Sequence, residues 1–158
     1  MASFRKQIRS IARGKVLLFG IGNRMMADDG AGPLVVDRVR ERRSALACID
    51  GGAAPENYLE KAVKAAPDTV LIVDAVSFDG RAGEIKIFRS SALSAGGIST
   101  HALSLAMVCE YLRNRLGDVT IALVGIQPET VTMGKQMSTA VQGAVEDLAG
   151  ELVKEFAE

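Results

Sequence analysis

The segment that most constrains the fold runs from Val16 to Pro33 and reads VLLFGIGNRMMADDGAGP. Its apolar start has the length of a buried strand and stops at a GIGN turn. A loop with two adjacent acids, Asp28 and Asp29, follows, and Pro33 stands in the first turn of an apolar-periodic helix. This order of strand, turn and helix places both carboxylates at the carboxyl edge of a parallel sheet, where open α/β sheets bind their ligands.

Length and charge limit the class of protein. The chain has 158 residues, the size of one domain with a sizeable core. Basic and acidic residues number 19 each, and no apolar run reaches the roughly eighteen residues of a membrane helix. Two separated cysteines, Cys48 and Cys109, favour buried free thiols in a reducing compartment. We therefore expect a cytoplasmic protein that neither inserts in a membrane nor binds nucleic acid.

The N-terminal residues 1–14 form a basic leader that contains no acid. It lacks the apolar core of a secretory signal, and we expect either a short extra helix or a disordered segment before the first strand. Residues 15–158 are predicted to form a single α/β domain.

Strand-like and helix-like segments alternate through this domain. An aliphatic run, Thr69–Val73, predicts a central strand buried on both faces, and the alternating Glu84–Phe88 predicts an antiparallel edge strand. The other predicted elements are helices at 34–43, 55–65 and 105–116, strands at 47–50 and 119–126, and a last helix capped by Ser138 or Thr139. The result is a three-layer α/β/α sandwich with a mostly parallel, twisted sheet of about five strands and one antiparallel edge strand.

Two more polar residues are expected at the same edge of the sheet. Asp74 follows directly on the aliphatic strand, where a carboxylate is costly unless it is bound or wet. His101, the single histidine, begins a helix, where the helix dipole favours the neutral ring that can bind a metal. Asp28 or Asp29 also fits a helix cap, and Asp74 also fits a turn. If the three regions meet, two carboxylates and one imidazole form a metal site.

The Gly20–Gly22 turn also raises a nucleotide-binding hypothesis. A dinucleotide fingerprint needs a third glycine three residues later, where this chain has Met25. The two acids at the next helix start would repel a pyrophosphate. Nucleotide binding is therefore a minor alternative, and the HExxH and GxSxG signatures of other hydrolases are absent from the sequence.

Several motifs together make the chain resemble the nickel-iron hydrogenase maturation endopeptidases. In order, they are GIGN…MMADDGAGP, IDGGAAPEN, LIVDA, GEI, TH and GIQP. The chain is most similar to the group that processes the large subunit of the formate-hydrogenlyase type of hydrogenase. This resemblance implies an α/β fold and a peptidase that removes a C-terminal peptide from the large-subunit precursor after nickel insertion.

The resemblance also implies the residues that contact nickel, namely Asp29, Asp74 and His101. Asp28 matches the first acid of the family's acidic pair, which is not the acid assigned to the metal. Nickel is expected to arrive with the precursor, so that the protease senses whether its substrate is metallated. Two carboxylates and an imidazole suit a borderline divalent ion, and three ligands leave positions open for groups of the substrate.

Mechanism and function each keep an alternative at this point. Hydrolysis is assisted by the metal, or Asp29 or Asp74 acts as the general base on a water. The alternative function is a non-cleaving metallochaperone or checkpoint protein that binds the same precursor. Walls for the extended tail of the precursor are expected from the turn at Gly51–Gly52 and the loop at 90–100.

Overall fold

A computed structural model of the chain describes residues 2–90 and 102–157. The helices are α1 (Ala2–Ile11), α2 (Ala31–Glu41), α3 (Leu59–Lys64), α4 (Ala102–Leu116) and α5 (Thr139–Glu155). The strands are β1 (Val16–Ile21), β2 (Ala47–Gly52), β3 (Thr69–Ala75), β4 (Ile85–Arg89) and β5 (Thr120–Ile126). Two 3₁₀ helices, η1 (Ala27–Gly30) and η2 (Pro55–Tyr58), precede α2 and α3.

The strands form one sheet in the order β2-β1-β3-β5-β4, parallel except for the antiparallel pair of β4 and β5. All residues of β3 are buried, which confirms the predicted central strand. Its aliphatic side chains have no polar alternation because helices cover both faces. The alternating β4 lies at one edge and confirms the predicted antiparallel strand.

Helices cover both faces of the sheet, so the predicted three-layer sandwich is confirmed. On one face, α1, α2 and α5 pack against alternate residues of β3 such as Leu71 and Val73. On the other face, α3 and α4 pack against Val70 and Ile72. The apolar stripes read from the sequence account for this packing, because residues three and four apart share one helix face.

The basic N-terminal segment is a helix, the first of the two alternatives expected for it. Phe4 and Ile8 of α1 are buried in the same core as α5. Arg5 and Arg9 pair with Glu155 near the end of α5, with nitrogen–oxygen distances of 3.3 and 2.9 Å. The segment is therefore a docked part of the described structure.

Both cysteines are free thiols, with Cys109 buried and Cys48 half-buried. Burial raises the pKa of each thiol above its ordinary value. Within the described ranges, no helix is both long and apolar enough to cross a bilayer.

Candidate functional site

The acidic pair lies on η1, which contacts β3 and packs against the turn that follows β1. The Asp29 side chain is almost fully buried. Its Oδ2 accepts a hydrogen bond of 3.0 Å from the backbone N–H of Asn23, the second residue after β1. The Asp29 N–H in turn donates to the carbonyl of Met26. The carboxylate is thus held at the exit of β1, at the carboxyl edge of the sheet.

Asp74 lies within β3, one residue before its end, and pairs with Gly125 of β5. Its side chain is fully buried, and its Oδ1 accepts a 2.8 Å hydrogen bond from the N–H of Ala75. A buried carboxylate inside a central strand is unusual, because the charge loses hydration that an apolar side chain would not need. Its position indicates a role other than packing.

Close contact between α2 and two strands brings the acids to the same part of this edge. A Cβ atom on Gly32 would lie 2.4 Å from the carbonyl oxygen of Ile21 and 2.3 Å from that of Val73. The start of α2 therefore sits directly on the ends of β1 and β3. Since Asp29 precedes this helix start and Asp74 follows Val73, both predicted acids approach the same end of the sheet.

The third predicted ligand, His101, lies outside the described residues. In the part of the chain that the structure describes, no three His, Cys, Asp or Glu side chains form a group that could hold a metal ion. The described α4 starts at the next residue, Ala102. The set of Asp29, Asp74 and His101 as metal ligands and catalytic residues stays a prediction.

The glycines of the turn after β1 serve close packing. A Cβ atom on Gly22 would lie 1.9 Å from the carbonyl oxygen of Asp29, and one on Gly20 would lie 2.6 Å from that of Gly32. Only hydrogen at these positions lets η1 and α2 approach the strand. This contact between segments explains the glycines without a phosphate ligand.

The predicted helix cap from the acidic pair is wrong. The N-cap residues of η1 and α2 are Met26 and Gly30, and neither makes a side-chain cap bond. Asp28 and Asp29 instead lie inside η1. The physical reason is tertiary, because Asp28 bonds to backbone groups far away in the sequence rather than to its own helix.

The side chain of Asp28 is fully buried and accepts several hydrogen bonds. Its Oδ2 accepts from the N–H groups of Glu129 and Thr130, at 2.8 and 3.1 Å, and from the hydroxyl of Ser138, at 2.8 Å. Its Oδ1 accepts from the N–H of Ser138 at 2.6 Å. The hydroxyl of Ser138 also accepts from the N–H of Val141, so Ser138, one of the two predicted caps, is the N-cap of α5.

A cleft of about 240 Å³ opens beside the carboxyl ends of β1 and β2. Arg24 lines it and bridges Asp37 and Asp50, with nitrogen–oxygen distances of 2.7 and 2.6 Å. The hydrogen bond from Arg24 to Asp37 raises the pKa of the Arg24 guanidinium, and the hydrogen bond to Asp50 raises it to a smaller extent. Gly52 also lines the cleft, whereas the loop expected to form a second wall at 90–100 lies outside the described residues apart from its first position.

Sequence reasoning assigned no role in the site to Arg24, Asp50 or Gln127. Asp50 lies in β2 near the carboxyl edge, a signal similar to that of Asp74. Gln127 follows β5 and is buried, and its Oε1 accepts from the N–H groups of Phe78 and Gly80 at 2.8 and 3.1 Å. It therefore fixes the loop after β3, a contact that no local pattern marks.

Comparison with known proteins gives consistent matches. The sequence model of the family HycI, hydrogenase maturation protease, matches residues 35–155. The hydrogenase 3 maturation protease of Escherichia coli K12 is 34% identical over 132 residues, which cover 82% of this chain and 83% of the relative. A putative hydrogenase maturation protease of Methanocaldococcus jannaschii is 29% identical over 74% of each chain.

Solved structures agree with these matches. A crystal structure of the [NiFe] hydrogenase maturation protease HycI from Thermococcus kodakarensis has a TM-score of 0.84 and 31% identity, covering 95% of this chain and 98% of that one. The crystal structure of a hydrogenase 3 maturation protease has a TM-score of 0.78 and 31% identity, covering 91% and 96%. The predicted family and fold are confirmed.

Proposed function

This chain belongs to the hydrogenase maturation protease family, and on that premise we propose that it removes the C-terminal peptide of a nickel-iron hydrogenase large-subunit precursor. The observation that carries the proposal is the pair of buried acids, Asp29 and Asp74, at the carboxyl edge. Buried carboxylates at the edge where α/β sheets bind ligands are typical of functional groups. We place the reaction in the cytoplasm.

In this proposal nickel is part of the substrate, and Asp29, Asp74 and His101 contact it when the precursor docks. Ni²⁺ binds carboxylate and imidazole ligands strongly among divalent ions, and three protein ligands leave positions for groups of the precursor. Weak binding of nickel by the free enzyme is an advantage, because a site already filled would not sense the metal of the substrate. When present, the metal supplies Lewis acidity beside the scissile bond.

The residues of the chain orient and deprotonate a water in this mechanism. The N–H of Asn23 holds one carboxylate oxygen of Asp29, and the N–H of Ala75 holds one of Asp74. Either Asp29 or Asp74 accepts the proton of the attacking water as the general base. Both acids lie out of bulk water, so charge that develops beside them is screened less than it would be in solvent.

The experiment is incubation with purified precursor, with and without nickel, followed by intact-mass measurement. The wild type should remove a C-terminal peptide only from the nickel-loaded form. Asp29→Asn, Asp74→Asn and His101→Ala should each slow this removal by at least about 100-fold. Asp68→Asn is the matched control, because Asp68 binds the N–H of Lys15 at the opposite edge of the sheet.

Two results would overturn the proposal in different ways. Normal cleavage by all three site variants would remove the metal site. An unchanged precursor mass, together with a stable complex of the wild type and the precursor, would favour the non-cleaving checkpoint protein. A genome with no nickel-iron hydrogenase that carries a C-terminal extension would remove the substrate assignment.

A further inference from the structure

Asp28, the first acid of the pair, has a bonding pattern that the proposed mechanism does not use. It is fully buried, and no ion pair between described residues includes it. Its two oxygens accept three backbone N–H groups and one hydroxyl, and its own N–H donates to the carbonyl of Thr130 at 3.0 Å. Such a carboxylate is stabilised by oriented donors, which are arranged only in the folded chain.

The bonds join segments that are distant in sequence. The donors of Glu129, Thr130 and Ser138 are 101, 102 and 110 residues away from Asp28. Glu129 and Thr130 belong to the segment between β5 and α5, and Ser138 is the N-cap of α5. One side chain therefore fastens η1 to the segment between β5 and α5.

The neighbouring residue of η1 is Asp29, and the two side chains point in different directions. Successive residues of a 3₁₀ helix are rotated by about 120°. Asp28 accordingly reaches the segment between β5 and α5, while Asp29 accepts from Asn23 beside β1. A helix of only four residues, Ala27–Gly30, carries both contacts. A shift of η1 at Asp28 therefore shifts the Asp29 carboxylate as well.

We propose that Asp28 is a positioning residue, whose hydrogen bonds fix η1 so that the Asp29 carboxylate meets the reacting groups. The inference rests on the proposed function, in which Asp29 contacts nickel or activates water. An amide at position 28 would turn its NH₂ towards the N–H donors of Ser138 or Glu129, so at least one bond is replaced by a donor–donor contact. The lost hydrogen bond loosens η1, and the rate of catalysis falls because the Asp29 carboxylate is displaced.

The test is Asp28→Asn, with both a kinetic and a spectroscopic readout. The kcat for removal of the precursor's peptide should fall by about 100-fold, because a displacement of about 1 Å in a catalytic group has an effect of that size. The KM should change by less than about threefold, since the docking surface is intact. The amide signal of Asn23 in a ¹H–¹⁵N NMR spectrum should shift, because this N–H reports the position of Asp29.

Thr69→Val is the matched control for simple destabilisation. Thr69 is fully buried at the start of β3, and its hydroxyl accepts from the N–H of Arg13 at 2.9 Å and donates to the carbonyl of Arg13 at 2.7 Å. Its loss should lower the melting temperature but leave kcat and the Asn23 amide unchanged. An Asp28→Asn variant that behaves like Thr69→Val would refute the positioning role.

Ser138 supplies a milder variant if Asp28→Asn does not fold. Ser138→Ala removes one donor to Asp28 and should lower kcat by on the order of 10-fold. Ser138→Thr keeps the hydroxyl and should restore the wild-type kcat. A kcat equal to that of the wild type in both variants would contradict the proposal. If the wild type itself does not cleave the precursor, the proposed function fails, and an unshifted Asn23 amide in the variants separately refutes the positioning role.

Discussion

Replacing Gly32 by alanine should destabilise the protein more than any other Gly→Ala change in α2 or α5. The added methyl would lie 2.3 and 2.4 Å from two carbonyl oxygens, those of Val73 and Ile21. Both are backbone atoms, so no side chain can rotate away. Relief to the ordinary 3.4 Å contact requires the start of α2 to move by about 1 Å from the strands. Overpacking of this kind costs about 2–3 kcal/mol.

The assay is thermal unfolding followed by circular dichroism. For a chain of this size, that free energy corresponds to a fall in melting temperature of about 4–12 °C. The same movement carries η1 away from the sheet, so precursor processing should also slow by about 100-fold below the transition. A melting temperature equal to that of the wild type would refute the close contact between α2 and the strand ends.

Gly143→Ala is the matched control for the same chemical change. Gly143 lies inside α5, and a Cβ atom there would meet nothing within 4 Å. Alanine should therefore stabilise the helix by about 0.5–1 kcal/mol, because it restricts the unfolded chain more than glycine does. Opposite signs for the two substitutions are expected only if the space around Gly32 is filled.

Two further predictions concern thiols and pH. Burial raises the pKa of Cys109 and Cys48, so Ellman's reagent at pH 7 should modify the native protein slowly and the unfolded protein quickly; fast native labelling would contradict this. Hydrogen bonds from Arg9 and Arg5 lower the pKa of Glu155. A lowered folded-state pKa adds stability above about pH 4.3, the unfolded value, and this is lost as pH falls through the folded pKa. Glu155→Gln should thus lower the free energy of unfolding in urea more at pH 7 than in acid below the folded pKa, and an equal loss under both conditions would contradict the ion pair.

The sequence was most informative where local pattern and burial agree. The aliphatic β3 and the alternating β4 were predicted in position and type, because a strand's two faces determine which side chains it carries. The cap of α5 was predicted as Ser138 or Thr139 for a similar reason, since capping depends on residues that are close in sequence. Asp29 and Asp74 were placed at the carboxyl edge from the order of strand, turn and helix alone.

The features that were missed depend on contacts between distant segments. Asp28 looks like a helix cap in the sequence, yet its partners are more than 100 residues away. The sequence does not decide between a helix and a disordered segment for the basic leader. Its buried residues, Phe4 and Ile8, pack in the core that includes α5, and no local pattern shows that contact. The glycine turn resembles a phosphate loop until η1 is seen to fill the space beside Gly22.

The central claim is that Asp29, Asp74 and His101 meet around one divalent ion. Its most direct test is anomalous diffraction at the nickel absorption edge, from crystals grown in an excess of Ni²⁺ to overcome weak binding. We predict one anomalous peak that lies about 2.1 Å from a ring nitrogen of His101 and at a similar distance from oxygens of both carboxylates. A pocket without nickel under these conditions, or an imidazole at the opposite edge of the sheet, would contradict the claim.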